Sequence, residues 1–267
     1  MCFIETSAFT RSQSRISLST SVNSDLDKIS EWGRANLVKF NASKTKFLPL
    51  SLSRNTSDLF VCFENNVIES SSTINILGVN LSHNLSWKFH IENLAKAASR
   101  KLGVLYRCKR FFSSEQLMKL YVGMIRPCLE YCSHIWAGSS AVSLLDGVER
   151  KAFRLINDSS LTSSLDSLSL RRKVSCLSLF YRYYHGHCSQ ELAGCVPPPL
   201  LRPRSTRQST SAHEFSVQLE NQRINRVSDC FFPYTSVLWN DLPPHVFPAN
   251  YNLSTFKSQV CRHLRGL

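Results

Sequence analysis

Residues 119–136 read KLYVGMIRPCLEYCSHIW and carry the clearest periodic signal in the chain. Taken from one turn earlier, the apolar residues are Leu117, Leu120, Tyr121, Met124, Ile125, Cys128, Leu129, Cys132, Ile135 and Trp136. Steps of three and one set them on one wide face of an α-helix. Pro127 falls inside the pattern. A proline there removes a backbone donor, so the helix is expected to kink or restart. A face this wide is buried against several partners, which marks the stretch as the central helix of a helical domain.

Helical patterns flank it on both sides. Residues 90–110 place Ile91, Leu94, Ala98, Leu102 and Leu105 on one face, with Lys96, Arg100, Lys101, Arg107, Lys109 and Arg110 largely elsewhere. Residues 141–156 turn Leu145, Val148, Ala152, Leu155 and Ile156 inward, and residues 168–184 form an apolar–basic helix with Arg171, Arg172 and Lys173 near its start. Upstream, Asp25 opens a helix carrying Leu26, Ile29, Trp32, Leu37 and Phe40. Short β signals follow: a strand at 47–50, a hairpin of 59–63 with 67–69 turning at Asn65-Asn66, and a strand at 74–81. Gly78 lies inside that last strand, where it marks a bulge or a close backbone approach.

Downstream, Pro197-Pro198-Pro199 and a polar run through Ser211 form a linker that no helix crosses. Strand-like 215–219, the pair Phe231-Phe232, the string 238–243 and a last helix over 254–264 close the chain. The expected class is α+β, mainly helical, with a small antiparallel sheet followed by a helical domain. The expected organisation is a serine-rich disordered tail (1–24), a helix with β-hairpins (25–87), a helical domain (88–190), a Pro/Ser/Arg-rich linker (191–211) and a small C-terminal α/β segment (212–267).

The 267 residues carry a net charge of +13, unevenly spread. Residues 88–126 hold nine Lys/Arg against two acids (+7), and residues 127–158 hold three against four (−1). Such a basic segment points to a polyanion partner. Ten cysteines occur without a secretory signal, so reduced thiols in an intracellular protein, nuclear or cytoplasmic, are expected. No uncharged apolar run approaches the ~20 residues of a membrane span.

Sharper chemistry is thin. Cys128, Cys132 and His134, and likewise His185, His187, Cys188 and Cys195, lack the paired spacing of a closed zinc site. No Gly-rich phosphate loop and no Gly-x-Ser-x-Gly occurs. Asp25 and Asp27 are the one close carboxylate pair near the N-terminus, and a helix start accounts for them without metal. No catalytic, metal or cofactor residue and no small-molecule substrate is expected.

Taken in order, several motifs carry a resemblance. Asp25-Leu26, Ile29, Trp32, Asn36-Leu37 and Phe40-Asn41-x-x-Lys44-Thr45 come first, then Leu77-Gly78-Val79, Leu85-Ser86-Trp87 and His90-Ile91. Leu120-Tyr121, Ile125-Arg126-Pro127, Leu129-Glu130-Tyr131, Ile135-Trp136, Arg150-Lys151-Ala152 and Arg154-Leu155-Ile156 follow. Thr206-Arg207, Leu238-Trp239-Asn240-x-Leu242-Pro243 and Phe256-Lys257 complete the series. This order resembles the region just after the catalytic core of reverse transcriptases from non-LTR (LINE-type, jockey-like) retrotransposons, over residues 25–264.

The resemblance implies an end-of-palm remnant at 25–87 and a thumb-like domain from 88. Lys44 matches the family's Phe-Asn-x-x-Lys-Thr lysine near the incoming nucleotide's phosphates. Gly78 falls in the hairpin that guides the primer end. Lys96, Arg100, Lys101, Arg107, Lys109 and Arg110 would grip a template–primer duplex, RNA or RNA–DNA, through its phosphates. The family's Ala-Asp-Asp turn is missing, since residues 1–24 contain no aspartate. Magnesium is therefore expected only in a complete polymerase, and this chain is expected to be an inactive C-terminal fragment of an RNA-directed DNA polymerase. The alternative is a host-recruited structural or interaction protein with no nucleic-acid role.

Overall fold

A computed structural model describes residues 15–50, 60–200, 213–219 and 225–266. The chain forms two compact units, 1–86 and 87–267. The fold is α+β and mainly helical, with two small antiparallel sheets of two strands each.

In the first unit, helix α1 (Arg15–Ala35) begins ten residues before the expected Asp25. Residues 15–24 are therefore helical, not disordered; residues 1–14 lie outside the described residues. Tertiary contacts override the serine-rich composition. Val22 packs with Leu26 and Ile29 against Val61, Phe63 and Ile68. The Asn23 amide clamps the next strand, donating to Phe60 O (3.3 Å) and accepting from Cys62 N (3.0 Å).

The expected inward positions Trp32 and Leu37 are 54% and 95% exposed. Gly33 takes the next place on the inner stripe, and a Cβ there would lie 2.6 Å from Phe40 Cε2, so the Phe40 ring fills the space of a side chain. Leu37 is the left-handed residue (φ 56°) that closes α1, with Val38 N donating to Gly33 O at 2.8 Å. A one-turn 3-10 segment, Ala42–Lys44, follows.

Strands β1 (Val61–Phe63) and β2 (Asn66–Ile68) form the first hairpin. Its two turn residues are Glu64 and Asn65, both at positive φ, one place earlier than the expected Asn65-Asn66. The expected strand at 47–50 reduces to a single bridge between Phe47 and Ser70. Residues 74–81 are not one strand but a second hairpin, β3 (Thr73–Ile76) with β4 (Val79–Ser82). Leu77 (φ 49°) and Gly78 (φ 86°) make its two-residue turn, so Gly78 supplies a left-handed turn position, not a bulge.

The second unit opens with α2 (Lys88–Cys108), followed by a 3-10 turn, Lys109–Phe111. A capping box of Ser113 with Gln116 starts α3 (Ser114–Leu120). The central helix, expected to kink or restart at Pro127, is broken at two places, near Pro127 and at Cys132. After α3 comes a π-helical turn, Tyr121–Ile125, then α4 (Arg126–Glu130) and, past a break, α5 (Ser133–Trp136). The Arg126 N–H reaches back five residues to Tyr121 O. Pro127 has no N–H to offer and its ring would crowd the preceding turn, which one extra residue relieves. The insertion keeps Leu117, Tyr121, Ile125 and Leu129 buried at steps of four, while Met124, expected inside, is 49% exposed. Cys132, at φ 52°, makes the second break.

Helix α6 (Ser143–Ile156) buries the five residues its pattern assigns, and Glu149 beside them. Next come α7 (Ser159–Ser163), capped by Asp158, and α8 (Leu168–Tyr184), capped by Ser167. Glu149 Oε1 accepts from Tyr121 OH (3.3 Å) and from Leu168 N (3.1 Å), tying α6 to the π turn and to the start of α8. Burial pushes the Glu149 carboxyl up and the Tyr121 phenol up with it.

Helix α9 (Gln190–Gly194) stands where a linker was expected, and residues 201–212 of that linker lie outside the described residues. The C-terminal residues join the core of this unit rather than forming a separate segment. Leu200 N donates to Ser216 O and Gln218 N to Pro198 O, both at 2.8 Å, pairing the two sides of the chain across Pro199 and Val217. Helices α10 (Asn225–Ser228), α11 (Phe231–Asn240) and α12 (Leu253–Leu264) complete the unit. Val174, Leu177, Phe180 and Tyr181 of α8 pack with Val217, Trp239, Leu242, Phe256 and Val260 in one buried cluster. The Tyr181 and Phe256 rings stack at 4.1 Å.

Candidate nucleic-acid interface

Helix α2 separates its two chemistries by face. His90, Ile91, Ala98, Leu102 and Leu105 are buried. Opposite them, Lys96, Arg100, Gly103 and Arg107 recur at steps of four, three and four, which stacks them along one solvent-facing line. Lys96, Arg100 and Arg107 are exposed, as are Lys109 and Arg110 in the 3-10 turn beyond. At 1.5 Å per residue, Lys96 to Arg107 spans about 16 Å of helix. Glu92 is the one acid of α2. Gly103 leaves the middle of the line low, since a Cβ there would meet only Arg107 Nη1, at 3.8 Å.

The cations are not equivalent. Lys101 is exposed at residue level, yet its ammonium is turned onto the chain, donating to Met124 O (3.2 Å) and Cys128 Sγ (2.9 Å). Arg110 lies over the Phe111 ring at 4.8 Å, a cation–π contact that leaves its outer edge to solvent. Val104, Tyr106 and Phe111 add exposed apolar surface to the same helix end.

Six of the eight sequence-predicted site residues thus lie on α2 and the turn after it. Lys44 and Gly78 belong to the first unit: Lys44 is exposed at the end of the 3-10 segment, and Gly78 is exposed at the tip of the β3–β4 hairpin.

The pair Asp25 and Asp27 does not suit a magnesium site. Asp25 Oδ1 accepts from Lys28 Nζ at 2.9 Å, and residues two apart on α1 point to different faces. Among the described residues, no three His, Cys, Asp or Glu side chains gather to hold a metal ion, and no helix is long and apolar enough to cross a membrane. His134 contacts the Phe231 ring at 6.0 Å and His187 stacks on Tyr251 at 3.9 Å, so both serve aromatic packing.

Arg171 and Arg172, which the sequence places near the start of an apolar–basic helix, hold ion pairs whose partners the sequence does not reveal. Arg172, 4% exposed, pairs with Asp146 at 2.7 Å. Arg171 forms a two-point pair with Glu130, its Nη2 at 3.0 Å from Oε2. Comparisons of the chain with protein-family models, curated proteins and solved structures found no match.

Proposed function

We propose that this chain is a nucleic-acid-binding, catalytically incomplete relative of the palm-to-thumb region of non-LTR reverse transcriptases, with α2 as its phosphate-binding element. The observation that carries the reading is the exposed line Lys96, Arg100 and Arg107, continued by Lys109 and Arg110, on a helix anchored by its other face. A duplex presents about one negative charge per 1.7 Å of axis, and a rigid row of cations neutralises several phosphates without reading sequence. The ordered motif resemblance supports the same partner, an RNA or RNA–DNA duplex.

The low centre at Gly103 suits close approach of a sugar–phosphate backbone. No synthesis is assigned to the chain, because Asp25 and Asp27 do not converge on a metal. Titrating a fluorescent RNA–DNA hybrid with the protein tests the reading: sequence-independent binding in low salt supports it, and no change in anisotropy refutes it.

The exposed Val104, Tyr106 and Phe111 favour a second reading, in which this helix end docks a protein. The same titration separates the two.

A further inference from the structure

A second basic site lies in the same unit, between α8 and α12. Arg171, Ser175, Ser178 and Arg182 of α8 face Leu253, Lys257 and Cys261 of α12 across a cleft of about 520 Å³, floored by Glu130, Ser133 and His134. That volume falls in the ~300–1,000 Å³ range of small-ligand sites. A shallower depression continues from it along α12, lined by Ser254, Lys257, Ser258, Arg262 and Arg265.

The acids of the cleft are already matched. Glu130 is held by Arg171, and Asp166 accepts from Arg265 Nε at 2.8 Å and Nη2 at 2.7 Å. Arg265 beside Asp166 holds its carboxyl below the usual range, so it stays ionised and occupied. Among the described residues, Arg182 and Lys257 have no carboxylate partner. Burial lowers the His134 basicity, which keeps that ring neutral and adds no charge at the floor. Two unmatched cations therefore share a concave, hydroxyl-lined site.

We infer that this cleft binds a phosphoryl group. Arg182 and Lys257 would supply the charge, and the Ser175 hydroxyl a further donor. A phosphoryl oxygen set offers three acceptors, one more than a carboxylate, and suits that donor number. A free phosphomonoester presents all three oxygens to these donors, whereas an internal phosphate of a nucleic-acid strand continuing along Arg262 presents its two non-bridging oxygens to the same cations. No residue of α2 lines the cleft, so the site does not depend on the reading given to that helix.

Lysine acylation followed by mass spectrometry tests it on the full chain. Inorganic phosphate is compared with chloride at equal ionic strength, alongside a nucleoside monophosphate and a 12-nucleotide strand. The expected result is at least threefold slower labelling of Lys257 in phosphate, with Lys151 on α6 unchanged, and loss of that protection in Arg182→Gln. Equal protection by phosphate and monophosphate assigns a free phosphomonoester; protection by the 12-mer at far lower concentration assigns a strand. Lys257 labelling that is identical in phosphate and chloride overturns the site. So does full protection surviving in Arg182→Gln. Protection lost instead on changing Arg100, Arg107 and Arg110 to Gln would place the phosphate on α2 and equally overturn it.

Discussion

Asn240 holds Val217 by both of its backbone groups: the Val217 N–H donates to Asn240 Oδ1 at 2.9 Å, and Asn240 Nδ2 donates to the Val217 carbonyl at 2.8 Å. The neighbouring Trp239 adds an indole N–H bond to Phe215 O at 2.8 Å. On the opposite edge, residues 198–200 pair with 216–218. The segment 213–219 is thus strung between a strand-like partner and the end of α11. Asn240→Ala removes both bonds from a backbone whose Val217 side chain is fully buried, and should cost about 1–3 kcal/mol. Urea unfolding checks it, with the exposed neighbour change Asp241→Ala expected within about 0.5 kcal/mol of the parent.

Two glycines should respond with opposite signs. A Cβ on Gly138 would lie 2.5 Å from Asp229 O, a backbone atom that cannot step aside, so Gly138→Ala should destabilise markedly. Gly123 is exposed in the π turn with nothing within 4 Å of its Cβ position. Gly123→Ala should therefore stabilise by up to about 1 kcal/mol, through the unfolded chain's lost freedom. Thermal melts of the pair decide this, and equal shifts would contradict the packing described at Gly138.

Trp136, fully buried, packs against His90, with ring centroids 6.2 Å apart. Trp136→Ala should cost about 3–5 kcal/mol, as large-to-small changes in packed cores do. A variant that melts like the parent but no longer binds nucleic acid would instead make Trp136 a base-stacking residue.

Burial holds His90 and His134 below the ordinary imidazole value, and burial followed by the charge of His187 does the same to His185. With folded values depressed, the unfolded chain binds more protons in the window just below the ordinary value of about 6.5. Stability should therefore fall as pH drops from 7.5 toward 5.5. Glu149, pushed up by burial, acts with the opposite sign nearer the carboxylate range. Chemical denaturation across this window should show the loss, with a shallower slope in His90→Gln; a slope unchanged by the substitution would remove His90 from the account.

The sequence shows α6 and α8 plainly, because an amphipathic stripe on an uninterrupted helix needs only its period to be read. Helix ends and turns were less legible. Leu37 and Trp32 look like core residues until Gly33 and Phe40 are seen to fill that place together. The positive φ of Glu64 and Leu77 belongs to residue types that give no turn signal. Pro127 announced a break, but the π turn that absorbs it shows only in the backbone. The basic row on α2 was visible from spacing alone, whereas the diversion of the Lys101 ammonium to Met124 and Cys128 required the fold. Arg182 and Lys257 are 75 residues apart in number and line one cleft only because α8 and α12 pack side by side.

In the proposed function, the exposed face of α2 binds nucleic-acid phosphates. Arg100, Arg107 and Arg110 changed together to Gln should leave the fold intact, because all three side chains are exposed. Filter binding to an RNA–DNA hybrid at several salt concentrations measures the counterions released. Each lost phosphate contact on a B-form duplex lowers the log–log slope by about 0.9, so the triple variant should lose about two to three units of slope and weaken all sequences alike. Parent and variant titrating with identical slopes would contradict the claim.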